Sequence, residues 1–454
     1  MTEEEKQAAE QQFRNHGKHN RRRQTMFYYR IKGFICCAWE SDLPYAAADD
    51  RERAEVSKFL FRRDPAKSRA VFLVNHPALL YQSAESAEWL SLGRLTEAAD
   101  RGISPESPAE QGIPDPEVMD AIEAGRLGAV NTAHPRFPEI MEEHLPLGGM
   151  TKKTVHILAI GDVGSNVLTG LHLLGGDCIR RIGICDISDK VTARWEFEEN
   201  QIAYPWDYDA LPEVYVVDRE HLFDCDVFVF VASAGIPPVG SGIKDVRMYQ
   251  FEKNSRIIAE YAKMARNANF RGLFCEVADP VDPLCKAAYL ASNTDENGNF
   301  DGKGLVPEQI QGYGLGVMNA RAAYYAKKDE RFRSFLSEGR TFGPHGQELV
   351  VANSIEHYDD GLSKELTKLT VTANLRMREI GFKPFVAPAY SSGALSILLT
   401  IRGEWHCSSV FLGGIYMGVK NRYTINGQET EILKMPDELF ERIRDAEKAL
   451  HAIN

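Results

Sequence analysis

The sequence predicts an α/β chain centred on a doubly wound, mostly parallel sheet. Three observations predict it. Short apolar runs alternate with helical patterns from 151 to about 292, the first run stops at closely spaced glycines, and the second ends on a carboxylate. Continuous apolar runs suit strands buried on both faces. Their alternation with helices makes the strands parallel and the crossovers right-handed.

The first strand is the run from Val155 to Ile160, and Gly161-Asp162-Val163-Gly164 follows it. A helical pattern comes next, with Val167, Leu168, Leu171, Leu173 and Leu174 on its apolar positions. A strand feeding a helix through such a turn leaves free N–H groups at the positive end of the helix dipole, a ready site for a diphosphate. Gly161, Asp162, Val163 and Gly164 are therefore candidate cofactor contacts. Against the pattern G-x-G-x-x-G, Ala159 stands at the first glycine, which is tolerable where the turn needs no positive φ. The second strand, 179–185, ends at Asp186, 22 residues beyond Gly164. A carboxylate there is placed for a ribose 2′-hydroxyl, which favours NAD over NADP.

Further strands are expected at 214–217, 227–232 and 273–278, with a helix from about 251 to 267 between the last two. The polar loop 292–304 closes this half. Beyond it helices and hairpin signals mix. A helix is expected over 307–328, then the loop Gly343-Pro344-His345-Gly346, then a long helix from about 362 to 380. A turn at Ile425-Asn426-Gly427-Gln428 and an amphipathic helix from Asp437 complete the chain.

A length of 454 residues allows two to three domains with sizeable cores. The textures divide the chain into 1–150, 151–304 and 305–454. The first region holds an aromatic patch (Met26-Phe27-Tyr28-Tyr29), a strand-like run at 70–74 and a Pro/Gly-rich stretch at 102–116. It carries no chemical motif and reads as an additional domain or wrapping extension. The net charge of −12 speaks against a nucleic-acid or anionic-membrane binder. Arg21-Arg22-Arg23 lies in a polar stretch and reads as solvated.

No run approaches the ~20 apolar residues of a membrane span, and the acidic start lacks the apolar core of a signal peptide. The eight cysteines form no C-x-x-C pair, and several sit in apolar strands where a thiol acts as a small hydrophobe. A reduced, cytoplasmic protein without a metal site is the expectation.

From about 153 to 450 the ordered set of landmarks resembles the lactate/malate dehydrogenase family. After the glycine turn and Asp186 come Asp226 to Pro237, a loop ending at Arg247, and Glu252-Lys253-Asn254. Ala278-Asp279-Pro280-Val281-Asp282, Gly343-Pro344-His345-Gly346 and Ser408 to Gly414 follow in the same order. The resemblance implies a Rossmann-type NAD-binding domain, with Ala234 and Gly235 also on the cofactor surface, followed by an α+β substrate domain. It implies a small-molecule substrate and a homodimer or homotetramer. His345 matches the histidine that exchanges a proton with substrate. Arg247, seven residues before Asn254, matches the arginine of a mobile loop that polarises the carbonyl, and the breaker-rich segment before it suits a hinged lid. Such roles need a group titrating near neutrality and preorganised donors for developing charge.

The departures are specific. Asp279 stands where the family has an asparagine that donates to the substrate oxygen. Asn319 stands where the helix carries the aspartate that orients the histidine. Arg321 follows it by two residues, whereas the family's carboxylate-binding arginine follows its aspartate by three. One residue is ~100° of helix rotation, so either Arg321 points elsewhere or Met318 takes the aspartate's place. An asparagine cannot stabilise imidazolium as a carboxylate does, and an ionised Asp279 opposes a developing oxyanion. Two readings follow: Asp279 has become the carboxylate of His345, or the substrate carries a cationic amine or imine where the oxygen used to sit. The leading function is an NAD-dependent oxidoreductase with His345, Arg247, Asp279, Asn319 and Arg321 as site residues. The alternative is a dinucleotide-binding sensor or scaffold.

Overall fold

The computed structural model describes residues 27–31, 34–38, 45–51, 70–74, 127–131, 151–235, 246–384, 386–412, 414–424, 427–431 and 433–453. In the first region, β1 (Phe27–Ile31), β2 (Phe34–Ala38), β3 (Ala46–Ala47), β4 (Ala70–Val74) and β5 (Leu127–Asn131) form one sheet in the order β3-β1-β2-β4-β5. The strand-like run at 70–74 is β4, parallel to both its neighbours. The basic run at 21–23 and the Pro/Gly-rich stretch lie outside the described residues.

From 151 onward the chain builds β6 (Lys153–Leu158), α1 (Asp162–Leu174), β7 (Ile179–Cys185), α2 (Asp189–Glu199), β8 (Glu213–Val216) and β9 (Val227–Phe230). There follow α3 (Val246–Asn267), β10 (Leu273–Glu276), α4 (Val281–Ser292), β11 (Ile310–Gly312) and α5 (Leu315–Ala326). The remainder comprises α6 (Phe335–Glu338), β12 (Arg340–Phe342), β13 (Val350–Ala352), α7 (Asp360–Glu379), α8 (Ser396–Arg402), β14 (His406–Leu412), β15 (Ile415–Thr424), β16 (Gly427–Thr430) and α9 (Asp437–His451). Among the described residues no helix is long and apolar enough to cross a membrane.

The large sheet runs β16-β15-β14-β11-β10-β9-β6-β7-β8. Its six strands from β11 to β8 are parallel, and β14 to β16 add an antiparallel extension through a single pair, Gly312↔Ser409. The chain enters at β6, winds outward to β8, and crosses back to β9. Winding therefore reverses between β6 and β9, and crossovers on the two sides leave a crevice at the carboxyl ends of the strands. This is the doubly wound parallel sheet that the alternating runs predict.

The period of two explains the double burial. On β9, Val227 and Val229 pack with Val167, Leu168 and Leu171 of α1 and Ile397 of α8. Phe228 and Phe230 point the other way, into a layer with Ile258 and Ala262 of α3 and Leu284 and Ala288 of α4. Each fully buried side chain of this size contributes roughly 1.5–3 kcal/mol. The last strands bury Val410, Met417 and Val419 under Leu439, Ile443 and Leu450 of α9.

One expected element is differently built. The stretch 307–328 is not one helix: a 3₁₀ turn (Pro307–Gln309) leads into β11, and α5 begins only at Leu315. Three residues of strand are too short to show a period. Ile310 and Gln311 pair with Phe274 and Cys275, so the sixth parallel strand is defined by its neighbours.

The β6–α1 join is tightly specified. Ala159 adopts φ +75°, so the first glycine position does demand the left-handed region. A Cβ on Gly164 would lie 2.0 Å from the Ala159 carbonyl oxygen, so the third glycine lets α1 start against the strand end. Strain of this kind costs about 1–3 kcal/mol, and an added methyl against backbone about as much. Ala159→Gly should raise the urea midpoint by the equivalent of about 1 kcal/mol, and Gly164→Ala should lower it by about 1–3 kcal/mol. Equal midpoints for all three proteins would contradict this account of the turn.

Glu276 ends β10 wholly inside the protein, and among the described residues neither carboxylate oxygen meets a donor in good hydrogen-bond geometry. Burial, reinforced by the nearby Asp279 charge, holds its pKa well above the ordinary value. A carboxyl raised in the folded state contributes its full linked stability below the unfolded value of ~4.3. That contribution is lost as pH rises toward the folded value. Glu276→Val should therefore raise the melting temperature more at pH 8 than at pH 5. Removing an unsatisfied buried group is worth about 1–3 kcal/mol. A gain independent of pH would show that the carboxyl stays at its ordinary pKa.

Candidate active site

His345 lies in the connection between β12 and β13, whose pairing Phe342↔Val350 closes a small hairpin. Gly343 turns the chain there with φ +90° and donates its N–H to the Gly418 carbonyl on β15 at 2.9 Å. Two contacts fix His345 itself. Its backbone N–H donates to Asp282 Oδ2 at 3.1 Å, and its ring Nδ1 stands 2.8 Å from the Gly314 carbonyl oxygen. A carbonyl can only accept, so Nδ1 carries the proton and Nε2 presents its lone pair in the neutral ring.

Gly314 suits this close approach, because a Cβ there would meet His345 Cβ at 2.8 Å. The Gly314 oxygen also accepts from Ser392 Oγ at 3.2 Å, while Ser392 Oγ accepts the Val317 N–H at 3.3 Å. Asp282, buried in the first turn of α4, accepts from Ser409 Oγ at 2.6 Å as well. The hairpin loop is thus tied to α4, β14 and the start of α5.

Asp279 follows β10, and its Oδ1 is 3.9 Å from His345 Nε2. The Asp279 side chain is 55 % exposed and His345 22 %, so both meet the open crevice. The backbone behind Asp279 is held by the wholly buried Asn254 of α3. Asn254 Nδ2 donates to the Asp279 carbonyl at 2.7 Å, and its Oδ1 accepts the Ala234 N–H at 2.8 Å. Asn254 therefore couples the segment after β9 to the segment after β10.

On α5, Asn319 and Arg321 point to different sides, as two residues of rotation require. Asn319 Oδ1 accepts from Thr341 Oγ1 at 3.4 Å. It makes no hydrogen bond to His345 among the described residues. Arg321 is largely withdrawn from water, and its Nη1 contacts Met318 Sδ at 3.6 Å. No carboxylate lies within ion-pair distance of it among the described residues. Burial lowers its pKa from the usual value, and the Asp279 charge pulls the other way. A guanidinium so placed keeps its fork of donors for a planar anion.

Arg247 falls in the first turn of α3. Its side chain, and residues 236–245 of the lid segment expected at 236–246, lie outside the described residues, and the helix already begins at Val246.

The dinucleotide candidates gather across the same strand ends. Among the described residues nothing lies within 4 Å of where a Cβ on Gly161 would stand, and the same is true at Gly235. The first turn of α1, which includes Asp162 and Val163, has no side-chain cap on its N–H groups. Asp186 at the tip of β7 accepts the Ile160 N–H at 2.8 Å and the Ser188 N–H at 3.1 Å, one on each oxygen. Asp162 pairs with Lys383, which offsets its charge beside the expected diphosphate position.

Asn254, Asp282, Gly314 and Ser392 are positioning residues that the sequence reading did not single out. Both Asn254 and Asp282 stand in its landmark stretches; Asp282 is flanked by Val281 and Pro283, whereas Asn254 sits among other polar residues and gives no local signal of its own. Two other histidines are structural. His156 is held in β6 between the Leu222 carbonyl and Tyr215, and buried His406, pushed down to about 4, contacts Thr400 and Ser408.

No family model matches the chain. Among curated proteins it is 23 % identical over 171 residues to L-lactate dehydrogenase of Streptococcus pyogenes. That stretch is 38 % of this chain and 46 % of the relative, so the chain spans about half the length of the curated relatives it matches. Among solved structures it is similar to the minor L-lactate dehydrogenase of Enterococcus mundtii in a ligands-bound form. The TM-score is 0.53 at 16 % identity, over 66 % of this chain and 97 % of that one. The apo malate dehydrogenase of Picrophilus torridus gives 0.52 at 17 % identity, over 67 % and 96 %. Malate dehydrogenase of Archaeoglobus fulgidus in complex with NADH gives 0.51 at 18 % identity, over 66 % and 98 %. Two-thirds of the chain thus carries the fold of these lactate and malate dehydrogenases.

Proposed function

We propose that this chain is an NAD-dependent oxidoreductase that exchanges a hydride with a small 2-hydroxy or 2-oxo acid or a related substrate. The observation that carries this reading is the approach of the Asp279 carboxylate to His345 Nε2 at 3.9 Å, with Arg321, which feels the Asp279 charge and has no carboxylate partner among the described residues, nearby. In this reading 151–304 holds the cofactor, 305–454 supplies the substrate side, and 1–150 is an additional region. The cradle fits a dinucleotide. Gly161 leaves open space for a diphosphate, α1 offers uncapped N–H groups, and Asp186 retains a lone pair on each oxygen for a ribose. When bound, the nicotinamide accepts or supplies the hydride.

The chain's own residues do the rest. Arg321 binds the substrate carboxylate through paired N–H donors, which fixes the reacting carbon against the cofactor face. His345 Nε2 takes the proton from the substrate in oxidation and returns it in reduction. The Gly314 carbonyl keeps the ring in the tautomer that leaves Nε2 free. Residue 247 is the proposed lid arginine.

A sensor or scaffold is the second reading, and one observation favours it. Among the described residues a backbone carbonyl, and no carboxylate, stands behind His345 Nδ1, so imidazolium is less stabilised there.

A fluorescence titration with NADH, followed by a turnover screen, separates the two. His345→Ala should cut kcat/KM by about 10²–10⁴-fold while the NADH dissociation constant stays within about twofold. Asp186→Ala should instead weaken NADH binding. Turnover that survives loss of the imidazole would refute the acid–base role, and NADH binding without turnover on any acid would favour the sensor.

A further inference from the structure

The position of Asp279 relative to the two nitrogens of His345 says what the substrate carries. A carboxylate that orients a proton-transferring histidine must sit on the nitrogen that does not meet the substrate. Here that nitrogen is Nδ1, and the Gly314 oxygen takes it at 2.8 Å. Asp279 lies on the other side, 3.9 Å from Nε2, exposed in the crevice where the substrate must approach. It is therefore not a relocated orienting group. It faces the atom that exchanges the proton.

We infer that the site accepts a 2-amino acid and its 2-imino acid, with Asp279 receiving the cationic nitrogen and Arg321 the carboxylate. This rests on the oxidoreductase reading and names the substrate class of that same site. A zwitterion matches the two charges. Arg321 is a largely buried cation without a carboxylate partner among the described residues, near enough to feel the Asp279 charge, and Asp279 is an accessible anion 3.9 Å from the proton-exchange nitrogen. A 2-oxo acid fits badly, because hydride addition to its carbonyl builds negative charge on oxygen next to the Asp279 carboxylate. Hydride addition to an iminium gives a neutral amine and builds no anion, and Asp279 favours both the iminium and the ammonium formed once His345 Nε2 returns its proton to that amine.

The step balances with a nicotinamide dinucleotide as the second reactant. In oxidation, one N–H bond of the ammonium breaks and its proton passes to His345 Nε2. The Cα–H bond then breaks, its electron pair and hydrogen pass to the oxidised nicotinamide, and the nitrogen lone pair forms the C=N bond. The amino acid is oxidised to the iminium form of the 2-imino acid, the cofactor is reduced, and one proton leaves His345 for water.

The test is calorimetric binding to the full chain saturated with NAD⁺, using matched pairs of amino acid and 2-hydroxy acid. Alanine with lactate, aspartate with malate, and leucine with 2-hydroxyisocaproate, each in both enantiomers, sample small, acidic and apolar side chains. At least one amino acid should bind ten-fold or more tightly than its hydroxy partner. Asp279→Asn should narrow or reverse that ratio by ten-fold or more, with NADH affinity and melting temperature held. The wild-type ratio decides the matter alone if the variant fails to fold. Hydroxy acids preferred in every pair, no binding by any pair, or an unchanged ratio in Asp279→Asn each overturn the inference. Such results leave the oxidoreductase reading in place if NADH binds and His345→Ala still abolishes turnover. Failure to bind NADH overturns both.

Discussion

The candidate site depends on one backbone oxygen. The Gly314 carbonyl takes hydrogen bonds from His345 Nδ1 and Ser392 Oγ, and so joins the β11–α5 turn, the β12–β13 loop and the π-helical turn at Tyr390–Leu395. These three segments come from distant parts of the chain and converge only because β11 lies beside β10 and β14 in one sheet. A carbonyl has no second protonation state. It fixes the tautomer of the neutral imidazole, and it does so without adding charge behind the ring.

Charge at this edge of the sheet is unevenly compensated. Asp282 receives a backbone N–H and a hydroxyl, which is adequate company for a buried carboxylate in the first turn of α4. Glu276 is wholly buried, and burial, reinforced by the Asp279 charge, makes it hold its proton more tightly. Keeping Glu276 neutral limits the negative potential around Asp279, whose own charge faces the crevice. Arg321 supplies the opposite sign and is left open by the thioether of Met318, which contacts the guanidinium without neutralising it. A carboxylate at 318, one turn before the arginine, would compete with any incoming anion. In the proposed function the thioether leaves that capacity to the substrate.

Much of this was legible in the residues. The apolar runs and their alternation predicted the doubly wound sheet, because strands buried on both faces have no polar side to disguise them. The glycines at 161 and 164 and the carboxylate at 186 marked the turn and strand tip through local backbone demands. The three-residue β11 was not legible, since its strand character comes from pairing with Phe274 and Cys275 across the sheet. Nor was the partner of His345: spacing along α5 could pose the choice between Asn319 and Met318, but the answer was a main-chain oxygen, which no side-chain pattern encodes. Asn254 was visible as part of a landmark, yet its bridge from Ala234 to Asp279 requires two loops to be brought together in space.

The two departures at this site have a common chemical sense. Reduction of a ketone needs a strong proton donor, because the oxyanion must be quenched as it forms, and a carboxylate behind the imidazole supplies that strength by stabilising imidazolium. Hydride transfer to an iminium builds no anion. The nitrogen arrives already charged and leaves as an amine that any modest acid can protonate, so the carboxylate behind the ring has nothing to offset. The same iminium gains from an anion at its own side. A carbonyl stands behind Nδ1 and Asp279 lies on the side of Nε2, so in the proposed reaction the negative charge sits beside the atoms that exchange the proton. Either change alone would impair a ketone reductase; together they suit a substrate whose charge is of the opposite sign.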